Sequence, residues 1–126
     1  MANANDRISG NRVLTITGSD HVTVGITQTE TVAGSRTESI GLSSSVRIGR
    51  DQATTIGQNM KIEAGKVVTI NAGDVLELVV GSARLTMKKD GTIELSGGNI
   101  TIVGTGKVTV KGAGDIVVRG NKIAGN

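Results

Sequence analysis

The sequence predicts an all-β chain built on an eight-residue repeat, and three observations point to it. Glycine recurs at a fixed interval: Gly41, Gly49, Gly57, Gly65, Gly73 and Gly81 lie eight apart, and Gly97 keeps their phase. Aliphatic residues alternate with polar ones. Of the 23 Val, Ile, Leu and Met residues between Ile8 and Val80, 19 occupy even positions. The chain has 19 Gly but no Pro, Phe, Tyr, Trp or Cys, so any apolar contact must be built from aliphatic side chains. Self-similarity at a fixed period marks a repeat architecture. Strand side chains point alternately to opposite faces, so the even-position bias reads as strands with one covered face. The glycine density and the period of two both disfavour helix.

The elements follow in order. Residues 1–7 are expected to be disordered or a cloning remnant, and they lack the apolar segment of a signal peptide. From Ile16 to Val80 one column repeats every eight residues: Ile16, Val24, Val32, Ile40, Ile48, Ile56, Ala64, Ala72 and Val80. A second column, two residues earlier, runs Leu14, Val22, Glu30, Glu38, Val46, Thr54, Ile62, Ile70 and Leu78. Upstream, Gly10, Gly18 and Gly34 sit in an opposite offset; downstream, Gly104, Gly112 and Gly120 are shifted by one residue. After Val80 the apolar pairs are Leu85/Met87, Ile93/Leu95, Ile100/Ile102, Val108/Val110 and Ile116/Val118, with an unexplained move to odd parity at Leu85. Lys89-Asp90-Gly91 carries a strong turn dipeptide. The eight-residue step from Leu85 to Ile93 nevertheless reads as a corner of the same winding rather than a hairpin. Each octad is thus a short strand and a glycine-bearing corner, and the whole of 1–126 is expected to form one domain. On this parity Ile62, Ile70, Leu78 and Val80 point inward, and Lys61, Glu63, Thr69 and Glu77 point to water.

Two or three aliphatic side chains per octad do not offset the backbone entropy of eight ordered residues. Stability must come from octads stacked on one another. Periodicity leaves two architectures open. One chain could coil as a monomeric solenoid, or three chains could intertwine as a triangular prism. The similarity of successive octads leans toward three chains.

Most chemical functions find little support. Without Cys there is no disulfide or thiolate chemistry. Without aromatic residues there is no stacking platform for single-stranded nucleic acid. The net charge of +3 is spread thinly, so no nucleic-acid partner is expected. His21 is the only histidine; it has outward parity and no partner for a triad or a metal site. Gly112-Ala113-Gly114-Asp115-Ile116 lacks the period of a calcium-binding nonapeptide, and Gly104-Thr105-Gly106 lacks the third glycine of a dinucleotide loop. No catalytic residue, metal ligand or cofactor is expected. Glu30 and Glu38 interrupt the inward column with Arg36 close by. They call for pairing with Arg36, a hydrated interior, or a local twist that turns them out.

The stretch Val80-Gly81-Ser82-Ala83-Arg84-Leu85-Thr86-Met87-Lys88-Lys89-Asp90-Gly91-Thr92-Ile93-Glu94-Leu95-Ser96-Gly97 resembles the C-terminal module of VgrG, the type VI secretion relative of the tailed-phage central spike. Gly98-Asn99-Ile100-Thr101-Ile102 and Gly106-Lys107-Val108-Thr109-Val110-Lys111-Gly112 extend the likeness. The resemblance implies an intertwined triple-stranded β-helix, a homotrimeric triangular prism of octapeptide repeats. It implies a structural, non-enzymatic needle that a contracting sheath drives through a target-cell membrane. A PAAR-repeat protein would cap its tip and effectors or their adaptors would ride on it. It also implies assembly in a bacterial cytoplasm and secretion on firing. The family's hub and oligosaccharide/oligonucleotide-binding segments have no counterpart in this sequence, so the expectation is the shaft alone. Asn121, Lys122, Ile123, Ala124, Gly125 and Asn126, where the strand pattern ends, are the expected cap-binding tip. Two other readings fit the repeat: a phage fibre or spike segment, and a solenoid that binds ice or another surface through Thr15, Thr17, Thr23, Thr27, Thr29 and Thr31.

Overall fold

Residues 3–125 are described by the structure, a computed structural model. The described residues contain no helix. Two compact units divide the chain, Met1–Thr54 and Thr55–Asn126.

In the first unit extended segments are broken by bends at 9–10, 17–18, 25–26, 33–34, 41–42 and 49–50. In the second unit the bends fall at 57–58, 65–66 and 73–74. The interval is eight residues throughout. Each of these bends holds one glycine, including Gly25. Gly10, Gly18 and Gly34, which looked out of phase in the sequence, occupy the second position of a bend where Gly41 to Gly73 occupy the first. The backbone phase is therefore constant, and only the glycine moves within it. Ile26 and Leu42 are the price of that freedom. They have inward parity, but they fall on the second bend residue and project fully into solvent.

The second unit then changes character. Strands β1 (Val75–Val80), β2 (Ala83–Lys88) and β3 (Ile93–Ser96) form an antiparallel meander in the order β1-β2-β3. Val80 pairs with Ala83, which leaves Gly81-Ser82 as a two-residue loop. Gly81 has a φ of 56°, and among the described residues none other than glycine has a positive φ. A left-handed glycine in the first loop position is the arrangement of a type II′ hairpin turn. The same loop explains the parity move at Leu85. A two-residue reversal pairs even positions of β1 with odd positions of β2: Leu76 with Met87, Leu78 with Leu85.

The second reversal corrects the expected corner at Lys89-Asp90-Gly91. β2 and β3 pair antiparallel, Leu85 with Leu95 and Met87 with Ile93, so this is a true hairpin. Its turn is closed locally. The Gly91 and Lys88 N–H groups donate to the carbonyls of Lys88 and Thr92, and the Thr92 N–H donates to Asp90 Oδ1 at 3.0 Å. That last bond holds the Asp90 carboxyl below its ordinary pKa. Gly91 takes a φ of 90°, which side chains resist. An octad step and a hairpin with the four-residue loop 89–92 both leave Leu85 and Ile93 eight apart, so spacing alone could not separate them.

The meander has two unlike faces. Leu76, Leu78, Val80, Ala83, Leu85, Met87, Ile93 and Leu95 share one, and all are apolar. Glu77, Thr86 and Glu94 form a row on the other, flanked by Arg84 and Lys88. After β3 the bends resume at 98, 105–106, 113–114 and 121. Here glycine makes room for a side chain of its own repeat: a Cβ on Gly104 would lie 2.7 Å from Val108 Cγ2.

Gly91→Ala keeps the hairpin sequence but forces a Cβ into left-handed backbone. It is expected to destabilise the folded protein by about 1–3 kcal/mol, read as a lower urea midpoint. A midpoint equal to that of the unsubstituted chain would mean that the turn does not require this conformation.

Candidate functional site: open octad edges and apolar columns

An extended strand carries an N–H and a C=O at every residue, and each needs a partner once water is excluded. Outside the strands of the meander, backbone-to-backbone hydrogen bonds among the described residues stay at its margins: Lys88 to Thr92 and Gly91 to Lys88 in the second turn, and Lys89 to Asp74 at the open end of β1 and β2. The octads therefore present unpaired backbone on both edges. Such edges are templates for pairing with another chain.

The side chains tell the same story. No hydrophobic residue is buried among the described residues; Thr86, in the central strand, is the one buried side chain. The exposure is nevertheless ordered. Ile16, Val24, Val32, Ile40, Ile48 and Ile56 all lie between 44% and 49% exposed. The second column is more open, as at Leu14, Val22, Val46, Ile62 and Ile70. From Ile16 to Ile56 the ridge is thus half-covered by its own chain and half open to solvent. Lys61 and Glu63 lie on the opposite parity and pair with each other at 3.0 Å.

The bend glycines add to this. From Gly10 to Gly73 none has a left-handed φ, and a Cβ at any of them would meet nothing within 4 Å. Neither backbone angle nor crowding within the chain demands glycine there.

Charge interrupts the columns at one place. Arg36 Nε lies 3.2 Å from Glu30 Oε1, and Arg36 Nη2 lies 3.1 Å from Glu38 Oε2. One guanidinium thus bridges carboxylates from two consecutive octads, which is the pairing that the sequence invited. All three side chains are more than half exposed, so each contact is a modest one. On the meander, Arg84 approaches Glu77 at 4.0 Å and Lys88 approaches Glu94 at 3.7 Å, both across neighbouring strands.

The remaining sequence candidates stay apart. His21 is exposed, with Nε2 3.1 Å from Thr23 Oγ1. No group of three or more His, Asp or Glu among the described residues is arranged to hold a metal ion. Asn121 to Gly125 are exposed, and the backbone bends at 121; Asn126 lies outside the described residues. Sequence reasoning missed the continuous apolar face of the meander. Its signal was present in the parity move between Val80 and Ala83.

Residues 2–74 match the family described as the bacteriophage T4 gp5 C-terminal trimerisation domain. No curated protein matches the chain.

Removing one charge of the cluster should cost more than removing all three. Arg36→Leu leaves Glu30 and Glu38 facing each other without a counter-charge, and a loss of up to ~1 kcal/mol per exposed pair is expected. The triple variant E30V/R36L/E38V restores an apolar column and should unfold at a higher urea concentration than R36L. The reverse order would show that the cluster does not act as a unit.

Proposed function

The chain belongs to the family of the bacteriophage T4 gp5 C-terminal trimerisation domain, a phage spike module, and from that premise we propose that it is the homotrimeric β-helical shaft of a cell-puncturing spike of the type VI secretion kind. The observation that carries this reading is the open edge. Octads with unpaired backbone on both sides and a half-covered apolar ridge are completed by strands of like geometry. Three intertwined copies supply them. Each strand then has a neighbour above and below, and the ridges converge on the axis of a triangular prism. The bend glycines gain a purpose at the corners of that prism, where one chain passes close to the next and a Cβ would hold it off.

A shaft of this kind does mechanical work and no catalysis. Its ladder hydrogen bonds run along the axis of thrust, so compression loads them together rather than singly. Glu30, Arg36 and Glu38 occupy the inward parity and would form a hydrated polar band within the prism. The terminal segment Asn121 to Asn126 would end the strand pattern on three chains at once. Its Ile123 and Ala124 leave apolar surface that a PAAR-repeat cap covers, and effectors or their adaptors travel with that cap. Assembly would take place in the bacterial cytoplasm and discharge would carry the shaft through a target-cell envelope. A second reading, the spike of a phage itself, is favoured by the phage origin of the matched family.

Light scattering coupled to size exclusion is expected to give three times the chain mass. Ile70→Asp would set three carboxylates in one apolar layer and should abolish the trimer, while Lys61→Glu, on the outward parity, should leave it intact. A monomeric unsubstituted chain, or equal effects of the two substitutions, would overturn the assembly.

Deleting Lys122 to Asn126 is expected to remove binding to the cognate PAAR-repeat protein while the trimer persists. Undiminished binding would place the docking surface elsewhere on the shaft.

A further inference from the structure

We propose that the apolar face of the β1–β2–β3 meander is covered by the same face of two further copies of this chain, making the meander a clasp that closes the assembly. This rests on the trimeric reading above, but the surface lies outside residues 2–74, the part of the chain that matches the trimerisation family.

The face is built in rows across three strands. Leu78, Leu85 and Leu95 form one row and Leu76, Met87 and Ile93 the next. No charged residue interrupts it. The reverse face is mixed: Arg84 and Lys88 reach Glu77 and Glu94 there, beside the half-exposed Val75 and Val79. A three-stranded sheet with one apolar face gains its stability from what covers that face. Ile93 is 70% exposed in the single chain, so nothing within the chain covers it.

Continuity of the chain names the occupant. The matched trimerisation segment ends at residue 74, and β1 begins at Val75. Three chains joined up to residue 74 deliver three copies of this face to one place. Tethering through so short a connection gives an effective concentration in the millimolar range, far above that of any free partner. A face without charge or polar groups also has nothing with which to select a foreign protein. Packed against its own copies it needs only aliphatic contact.

The test uses the full chain, which has no cysteine of its own. Ile93→Cys places a thiol on the apolar face, and Glu94→Cys places one on the reverse face one residue away. In the single chain both side chains are open, Ile93 at 70% and Glu94 at 62%, so an uncovered meander predicts similar rates of maleimide labelling. With the clasp closed, Ile93→Cys should label about tenfold more slowly or less, because thiol reactivity follows access. Both rates should converge in urea. Leu95→Cys probes the same face if Ile93→Cys fails to assemble. Equal rates in a protein that light scattering shows to be trimeric would overturn the clasp, leave the face free for a different partner, and leave the trimeric reading intact. A monomeric protein would overturn both. Because the protein is pure, protection cannot come from a foreign partner.

Discussion

The sign of φ at glycine separates the segments of this chain that pair with one another from those whose edges stay open. At Gly81 and Gly91 the angle is positive, the chain reverses, and the ladder closes within one molecule. At the bends from Gly10 to Gly73 it is not positive, and the extended segment on either side is left with open edges. Every other property of the octads follows from those edges. If those edges pair between chains as proposed, the pairing must repeat, in keeping with an apolar column that repeats every eight residues. Chains intertwined as proposed would pass closely at each corner, which would give glycine a reason to stand there although no atom of its own chain crowds it.

Much of this was legible in the sequence. The repeat length, the parity of the strands and the glycine at each corner were written in residue spacing, because an even repeat returns each strand to the same face. The meander was legible only in part. Its parity move at Gly81-Ser82 is what a two-residue reversal produces, but the step from Leu85 to Ile93 equals one octad and disguised the second reversal. Asp90-Gly91 was the better witness, because a side-chain acceptor beside a glycine sets local geometry whatever the spacing around it. The fully exposed Ile26 and Leu42 depart from the even-position pattern for a related reason: parity assigns a face only along extended chain, and both residues sit on bends.

The charged cluster shows where a residue pattern underdetermines its environment. Glu30 and Glu38 fall in the column that Leu14 and Val22 begin, so their positions read as inward. The structure supplies the guanidinium that bridges them. In the single chain the three groups remain in water and contribute little. In a prism they would be drawn together on three chains, where six carboxylates and three guanidinium groups cannot be enclosed dry. The band would therefore stay hydrated, and would soften a shaft whose other layers are aliphatic.

A perfect repeat has a defect of its own, and the irregular elements answer it. If every octad were alike, one chain could slide by eight residues against its neighbours and recover nearly all of its hydrogen bonds and aliphatic contacts. Register would then be set only by the ends. Features that occur once remove this degeneracy, since a slipped chain cannot superpose them. The Glu30–Arg36–Glu38 cluster is one, and its effect is to penalise slip by leaving charge opposite an apolar layer. The meander is the stronger one, because its reversals cannot be matched by any octad and its apolar rows, if packed on their copies as proposed, would meet their like in a single alignment. It also follows residue 74 directly, so an error of register in the octads would be carried straight into it. The departures from the repeat are thus what allow three copies of so repetitive a sequence to specify one structure.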